Sequence, residues 1–104
     1  ENNYGRSIYS SSKAAIESLT KSLSKELGSF NIRVNAIAPG PVNTEMFKNN
    51  TKEENIKKII ERTALKKLAS KEDIANLVSF LVSEKSSHIN GEIINIDGGL
   101  TTNE

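Results

Sequence analysis

Cysteine is absent from this chain, which excludes disulfides, thiolate nucleophiles and cysteine metal sites. An excess of charge of either sign is also lacking. Lys and Arg total 14 against 13 Asp and Glu, and a net charge of +1 gives no basic field of the kind that selects nucleic acid. No apolar run approaches the ~20 residues of a membrane span, and no signal-peptide pattern opens the chain. Histidine occurs once, at His88 between Ser87 and Ile89, with no Asp or Cys at ligand spacing, and reads as a solvated turn residue rather than a metal ligand. The expectation is a cytoplasmic protein with neither nucleic-acid nor membrane partners. Its 104 residues allow one core at most.

What is present is ordered as helix, strand, helices, strand. Residues 1 to 7 are polar, carry Gly5 and read as loop. From about Ile8 to Leu27, the apolar residues Ile16, Leu19, Leu23 and Leu27 recur at helical spacing. Lys21 and Lys25 complement the helix dipole, and Gly28 stands where a C-terminal cap is expected. Ile32, Val34, Ala36 and Ala38 then alternate with Arg33, Asn35 and Ile37, predicting a strand over 32–38 stopped by Pro39-Gly40-Pro41. Thr44 to Asn50 reads as a brief helical turn carrying Met46 and Phe47. Thr51-Lys52-Glu53-Glu54 is a capping box ahead of Ile56, Ile59 and Ile60. Ser70-Lys71-Glu72-Asp73 is a similar signal ahead of Ile74, Leu77, Val78, Leu81 and Val82. Asn90-Gly91 is a turn, 92–96 a second strand closed by Asp97-Gly98-Gly99, and Leu100 to Glu104 a short polar tail.

Two strands separated by helices are expected to be parallel and joined by a right-handed crossover. A parallel sheet of two strands leaves its edges and faces uncovered. Further strands are therefore expected upstream of Glu1, and the chain reads as the downstream part of a longer protein.

The residues that carry chemistry are Tyr9 and Lys13, four apart in Tyr9-Ser10-Ser11-Ser12-Lys13-Ala14-Ala15. Residues at that spacing share a helix face. A free phenol, with a pKa of about 10, is a poor proton donor or acceptor near neutrality. A lysine charge within roughly 4 to 6 Å favours the phenolate and brings the pKa towards the working range. The pair reads as an acid/base couple. Ser7, Ser10, Ser11 and Ser12 have no base beside them and read as helix-start residues. Lys57-Lys58 and Lys66-Lys67 read as solvated faces.

Three signatures in order carry a resemblance: the Tyr9-to-Ala15 run, Asn31-Ile32-Arg33-Val34-Asn35-Ala36-Ile37-Ala38-Pro39-Gly40-Pro41-Val42-Asn43-Thr44, and Ile89-Asn90-Gly91-Glu92-Ile93-Ile94-Asn95-Ile96-Asp97-Gly98-Gly99. Over residues 8 to 100 the chain resembles the C-terminal part of the short-chain dehydrogenase/reductases, above all the 3-oxoacyl-[acyl-carrier-protein] reductases of fatty acid biosynthesis and the broad set of alcohol and sugar dehydrogenases close to them. The resemblance implies an α/β chain, the C-terminal portion of a doubly wound parallel-sheet Rossmann fold. Residues 1–104 would supply the last two strands and their helices, without the N-terminal cofactor-binding half.

Roles follow from the resemblance position by position. Tyr9 would be the general acid/base in the interconversion of a carbonyl and a secondary alcohol. Lys13 would assist it and hold the nicotinamide ribose, and Tyr9 would count with it among the cofactor-binding residues. Pro39, Gly40, Val42 and Thr44 would form the loop that holds the carboxamide of NAD or NADP, Val42 through its main chain and Thr44 through its hydroxyl. Met46 and Phe47 would belong to the substrate lid or simply pack. The substrate would be a small-molecule or acyl-carrier-bound carbonyl compound, and the full-length protein a homodimer or homotetramer. The family's glycine-rich phosphate loop, its catalytic Ser and its Asn have no counterpart in residues 1–104. The chain alone is expected to be inactive, and the alternative reading is a non-catalytic fragment or oligomerisation module.

Overall fold

The computed structural model describes residues 3–100, with the side chains of residues 3–7 and of Tyr9 outside that description. The tail read over 101–104 also lies outside the described residues. In chain order the elements are α1 (Asn3–Leu27), a 3-10 turn (Gly28–Phe30), β1 (Ala36–Pro39), α2 (Glu45–Asn49), α3 (Glu53–Arg62), α4 (Lys71–Leu81), a second 3-10 turn (Glu84–Ser86) and β2 (Ile93–Ile96). β1 and β2 pair in one sheet. The Ala36 N–H donates to the Glu92 carbonyl at 2.8 Å and the Gly40 N–H to that of Ile96 at 3.2 Å. Both strands advance together, so the pairing is parallel, as expected. The chain divides into two compact units, Glu1–Ala36 with His88–Ile94 and Ile37–Ser87 with Asn95–Glu104.

In the first unit, α1 begins at Asn3, five residues earlier than the sequence predicts. The polar residues read as loop continue the helix, because each residue added to a nucleated helix gains a hydrogen bond for few dihedrals fixed. Gly5 stands in the first turn, where its N–H requires no intrahelical acceptor. The far end is a second correction. Gly28 is not the left-handed cap; Asn31 is, at φ 62. The Asn31 N–H donates to the Gly28 carbonyl at 2.9 Å and the Ile32 N–H to the Leu27 carbonyl at 3.3 Å, the pair of bonds that defines a Schellman motif. The 3-10 turn carries the helix past Gly28, and Asn tolerates the left-handed region that ends it.

The covered face of α1 is not its leucine stripe. Thr20 and Ser24 are buried, whereas Ile16 and Leu19 are 55% and 58% exposed. The buried hydroxyls are satisfied within the helix, Thr20 Oγ1 donating to the Ile16 carbonyl at 2.7 Å and Ser24 Oγ to that of Lys21 at 2.8 Å. Small residues let backbone approach the helix, and the backbone that does so is the 89–92 turn. Lys21 Nζ donates to the Gly91 carbonyl at 3.1 Å and Asn90 Nδ2 to the Ser24 carbonyl at 3.1 Å.

β1 is shorter than the strand predicted over 32–38. Before Ala36, one main-chain bond, from the Gly91 N–H to the Val34 carbonyl at 2.8 Å, is joined by bonds of asparagine side chains. The Val34 N–H donates to Asn90 Oδ1 at 2.9 Å, while Asn35 Nδ2 donates to the Ile89 carbonyl at 3.1 Å and Asn35 Oδ1 accepts from the Glu92 N–H at 3.0 Å. These backbone groups are thus satisfied largely by side chains.

In the second unit, Thr44 caps α2, its hydroxyl oxygen accepting from the Phe47 N–H at 3.1 Å. The capping box predicted at Thr51 does not form. Lys52 is the N-cap of α3 and makes no side-chain cap bond. Thr51 is thereby one residue outside the cap position, too early to serve the exposed N–H groups. At α4 the Ser70 box does form, with the Asp73 N–H donating to Ser70 Oγ at 3.1 Å and the Ser70 N–H to Asp73 Oδ2 at 2.9 Å. On α4, Leu81 is buried and Ile74 and Leu77 half-buried, but Val82 is 76% exposed. Ser86 is buried with its hydroxyl within reach of the Phe80, Leu81 and Ser83 carbonyls at 2.8, 2.9 and 3.2 Å, so one small side chain closes the C-terminal end of α4.

Candidate active site

Tyr9 and Lys13 both fall within α1, four residues or about 6 Å apart along its axis. The helix places them one turn apart on one face, which is the geometry the spacing calls for. Lys13 is half-buried. The Tyr9 side chain, and with it the expected lowering of its pKa, lies outside the described residues.

Pro39, Gly40, Val42 and Thr44 belong to the second unit. Pro39 is the last residue of β1, and the ladder bond there comes from the next residue, the Gly40 N–H donating to the Ile96 carbonyl. Gly40 is set by close approach: a Cβ there would lie 2.8 Å from Asp97 Cβ and 3.2 Å from its Cα. Only a residue without a side chain lets the loop turn away from β2 at that point. Val42 forms an isolated parallel bridge with Ala69, and the Asn43 N–H donates to the Ala69 carbonyl at 2.8 Å. The Val42 carbonyl accepts from the Thr44 N–H at 2.8 Å. The loop is therefore pinned to β2 at one end and to residue 69 at the other. Thr44 accepts with its oxygen and keeps its hydroxyl hydrogen to donate. Met46 is 74% exposed and Phe47 half-buried, so the structure gives the two residues different surroundings.

A cavity of about 290 Å³ in the same unit is lined by Leu65, Lys67, Leu68, Ala69, Asp73, Asn76, Ile96 and Gly98. It contains none of the residues assigned a role from the sequence, although Ala69 and Ile96 are the two anchors of the 39–44 loop. Asp73 on its wall is held below the usual carboxylate range, first by the Ser70 backbone N–H, then by the Ser70 hydroxyl, with a smaller contribution from Lys67. Among the described residues no group of three or more His, Cys, Asp or Glu could hold a metal ion. No described helix is long and apolar enough to cross a membrane.

Sequence reasoning missed Asn90, which ties the 89–92 turn to the Ser24 carbonyl of α1, Asn35, which ties residue 35 to the same turn, and the burial of Thr20 and Ser24. Asn90-Gly91 was legible as a turn, but nothing in a single sequence says that its side chain reaches back to residues 24 and 34.

Comparison with known proteins places this geometry in a class. The profile of the family described as Enoyl-(Acyl carrier protein) reductase matches residues 1–101. The chain belongs to the short-chain dehydrogenase/reductase family of oxidoreductases. It is 44% identical over 98 residues to a 3-oxoacyl-[acyl-carrier-protein] reductase of Aquifex aeolicus, covering 94% of this chain and 39% of that protein. It is 47% identical over 90 residues to a 3alpha-hydroxysteroid dehydrogenase of Mediterraneibacter gnavus, covering 86% of this chain and 36% of that one. Among solved structures it is similar to a 4-hydroxyisoleucine dehydrogenase complexed with NADH, with a TM-score of 0.81 at 33% identity over 92% of this chain and 40% of that chain. The α/β arrangement with a parallel strand pair is thus part of the family's Rossmann-type fold. The chain spans under two fifths of the length of the two curated relatives.

Proposed function

We propose that the protein carrying this segment is an NAD- or NADP-dependent oxidoreductase that interconverts a carbonyl and a secondary alcohol, with Tyr9 as general acid/base and Lys13 as its partner. The observation that carries the reading is the placement of Tyr9 and Lys13 one turn apart on α1, in a chain matched to the family over residues 1–101. Residues 1–104 would be the C-terminal part of a single Rossmann-type domain.

Each unit by itself offers donors of the kind a nicotinamide cofactor takes. Lys13 offers three N–H donors from a half-buried position, suited to ribose hydroxyls. The 39–44 loop offers a fixed backbone, and Thr44 a hydroxyl hydrogen not used by its cap. Pro39 and Gly40 would shape that loop, while the Val42 main chain and Thr44 would hold the carboxamide. The cofactor, when bound, supplies or accepts the hydride. In the reducing direction, Tyr9 Oη gives its proton to the substrate oxygen as the carbonyl carbon is reduced. In the oxidising direction it removes the hydroxyl proton. Lys13 stabilises the phenolate left between these events.

The substrate class follows from the relatives only as a proposal: an acyl-carrier-bound or small-molecule carbonyl compound, in a cytoplasmic homodimer or homotetramer. In the intact protein, Tyr9→Phe should reduce kcat at least about a hundredfold, the lower end of what acid/base groups contribute. Cofactor affinity should stay within a few-fold. The assay follows nicotinamide absorbance on a panel of ketones and acyl thioesters, with cofactor titrated separately. Turnover retained by the variant would remove Tyr9 from its role. A second reading, a non-catalytic interaction module, draws on the exposed Ile8, Ile16 and Leu19 of α1. Cofactor binding without turnover on any carbonyl by the wild type would favour it.

A further inference from the structure

Asn90-Gly91 is the only Asn-Gly dipeptide in the sequence. Asparagine is thermolabile, and a following glycine, lacking Cβ, presents the least hindered backbone nitrogen to the asparagine carboxamide. In the structure both reacting groups are held. Asn90 Oδ1 accepts from the Val34 N–H at 2.9 Å, Asn90 Nδ2 donates to the Ser24 carbonyl at 3.1 Å, and the Gly91 N–H donates to the Val34 carbonyl at 2.8 Å. Lys21 Nζ fixes the Gly91 carbonyl, and Asn35 braces the residues on either side, Ile89 and Glu92. Gly91 is buried at φ +80, and a Cβ there would lie 2.7 Å from Ser24 Oγ. Gly91 therefore cannot take a side chain without strain.

We propose that Asn90 is a conformation-gated deamidation site, whose carboxamide survives while α1 and residues 34–35 hold the 89–92 turn and is lost when that turn opens. The step is an internal acyl transfer. The Gly91 nitrogen loses its proton to solvent base and attacks Asn90 Cγ. The new N–C bond closes a cyclic imide, the bond to Nδ2 breaks, and that nitrogen leaves with a proton as ammonia. Water then opens the imide at either carbonyl, giving aspartate or its iso form. Nothing is oxidised or reduced. Attack requires the Gly91 N–H to leave the Val34 carbonyl and Cγ to swing away from both of its anchors, so three hydrogen bonds open first.

The product cannot restore the native turn. A carboxylate still accepts from the Val34 N–H, but it has no donor for the Ser24 carbonyl and sets a negative charge against that oxygen. The iso form also lengthens the backbone. Opening thus becomes irreversible, and α1 loses one of its ties to the turn.

The test ages the intact protein at neutral to mildly alkaline pH, in buffer and in denaturant, and maps residues 89–92 by mass spectrometry. Conversion at Asn90 should be at least about tenfold slower in buffer, because a protected group reacts only through local opening. Asn35→Ala keeps the dipeptide and removes the brace. It should speed conversion several-fold in buffer and leave the rate in denaturant unchanged, with circular dichroism confirming that the variant is folded. Should it not fold, Lys21→Met serves in its place. Equal rates in buffer and denaturant for the folded wild type, an intact Asn90 in denaturant, or a folded variant without acceleration would each overturn the proposal.

Discussion

Ser70 and Asp73 show how much a single pair of side chains settles. Their reciprocal bonds satisfy the first turn of α4 and hold the Asp73 carboxyl below its ordinary range. A carboxylate whose folded pKa is lowered adds stability that is complete above its unfolded pKa and is lost as pH falls through the folded one. The contribution should therefore be whole at neutral pH and decline below about pH 4, where an unperturbed Asp titrates. Ser70→Ala removes the hydroxyl half of the box and should cost roughly 1 kcal/mol at neutral pH. Urea unfolding of wild type and variant across the acid range tests both points. The gap between them should narrow as Asp73 protonates, and a constant gap would mean that the cap acts without the carboxylate.

At the scale of elements, β1 ends where Gly40 meets Asp97, and this contact joins sheet pairing to the candidate cofactor loop. Gly40→Ala would push a methyl into Asp97 Cβ and the backbone behind it. The cost should be about 1 to 3 kcal/mol, typical of overpacking where backbone must move. Thermal melts would measure it, and nicotinamide binding by the intact protein should weaken in parallel if the loop holds the carboxamide. A stable variant with unchanged affinity would separate the loop from the cofactor. The elements themselves were largely legible in the sequence. The 3.6-residue spacing found α1, α3 and α4, alternation found the first strand, and an isoleucine run between turn signals found the second, because those patterns report local backbone geometry. What failed depended on contacts distant in sequence. Residues 32–35 alternate as a strand does, yet several of their bonds go to the side chain of Asn90 or run through that of Asn35. Thr20 and Ser24 look like solvent-facing residues, yet they are the buried ones. The Tyr9–Lys13 spacing was legible because helix geometry alone fixes it. The anchoring of the 39–44 loop to Ala69 and Ile96 was not, since pairing between distant segments leaves no periodic trace.

For the whole molecule, the distribution of burial decides what residues 1–104 can do by themselves. Among the described residues Leu81 is the one large apolar side chain that is buried, while Ile16, Leu19, Phe30, Leu65 and Val82 are each more than half exposed. Burying a Leu contributes about 1.5 to 3 kcal/mol, whereas ordering each residue's backbone costs about 1 to 2 kcal/mol. The described residues cover little apolar surface for a cooperative core, and the two parallel strands have edges of the kind that other strands normally cover. The isolated 104 residues should therefore melt broadly, with a shallow denaturant slope and strong binding of a hydrophobic dye. The intact protein should melt sharply, and Ile16→Asp or Leu19→Asp, at positions exposed here, should destabilise it by more than the ±0.5 kcal/mol usual for surface substitutions. A single sharp, reversible transition from the 104 residues alone would show that they form a complete domain, and the exposed face of α1 would then need no covering partner.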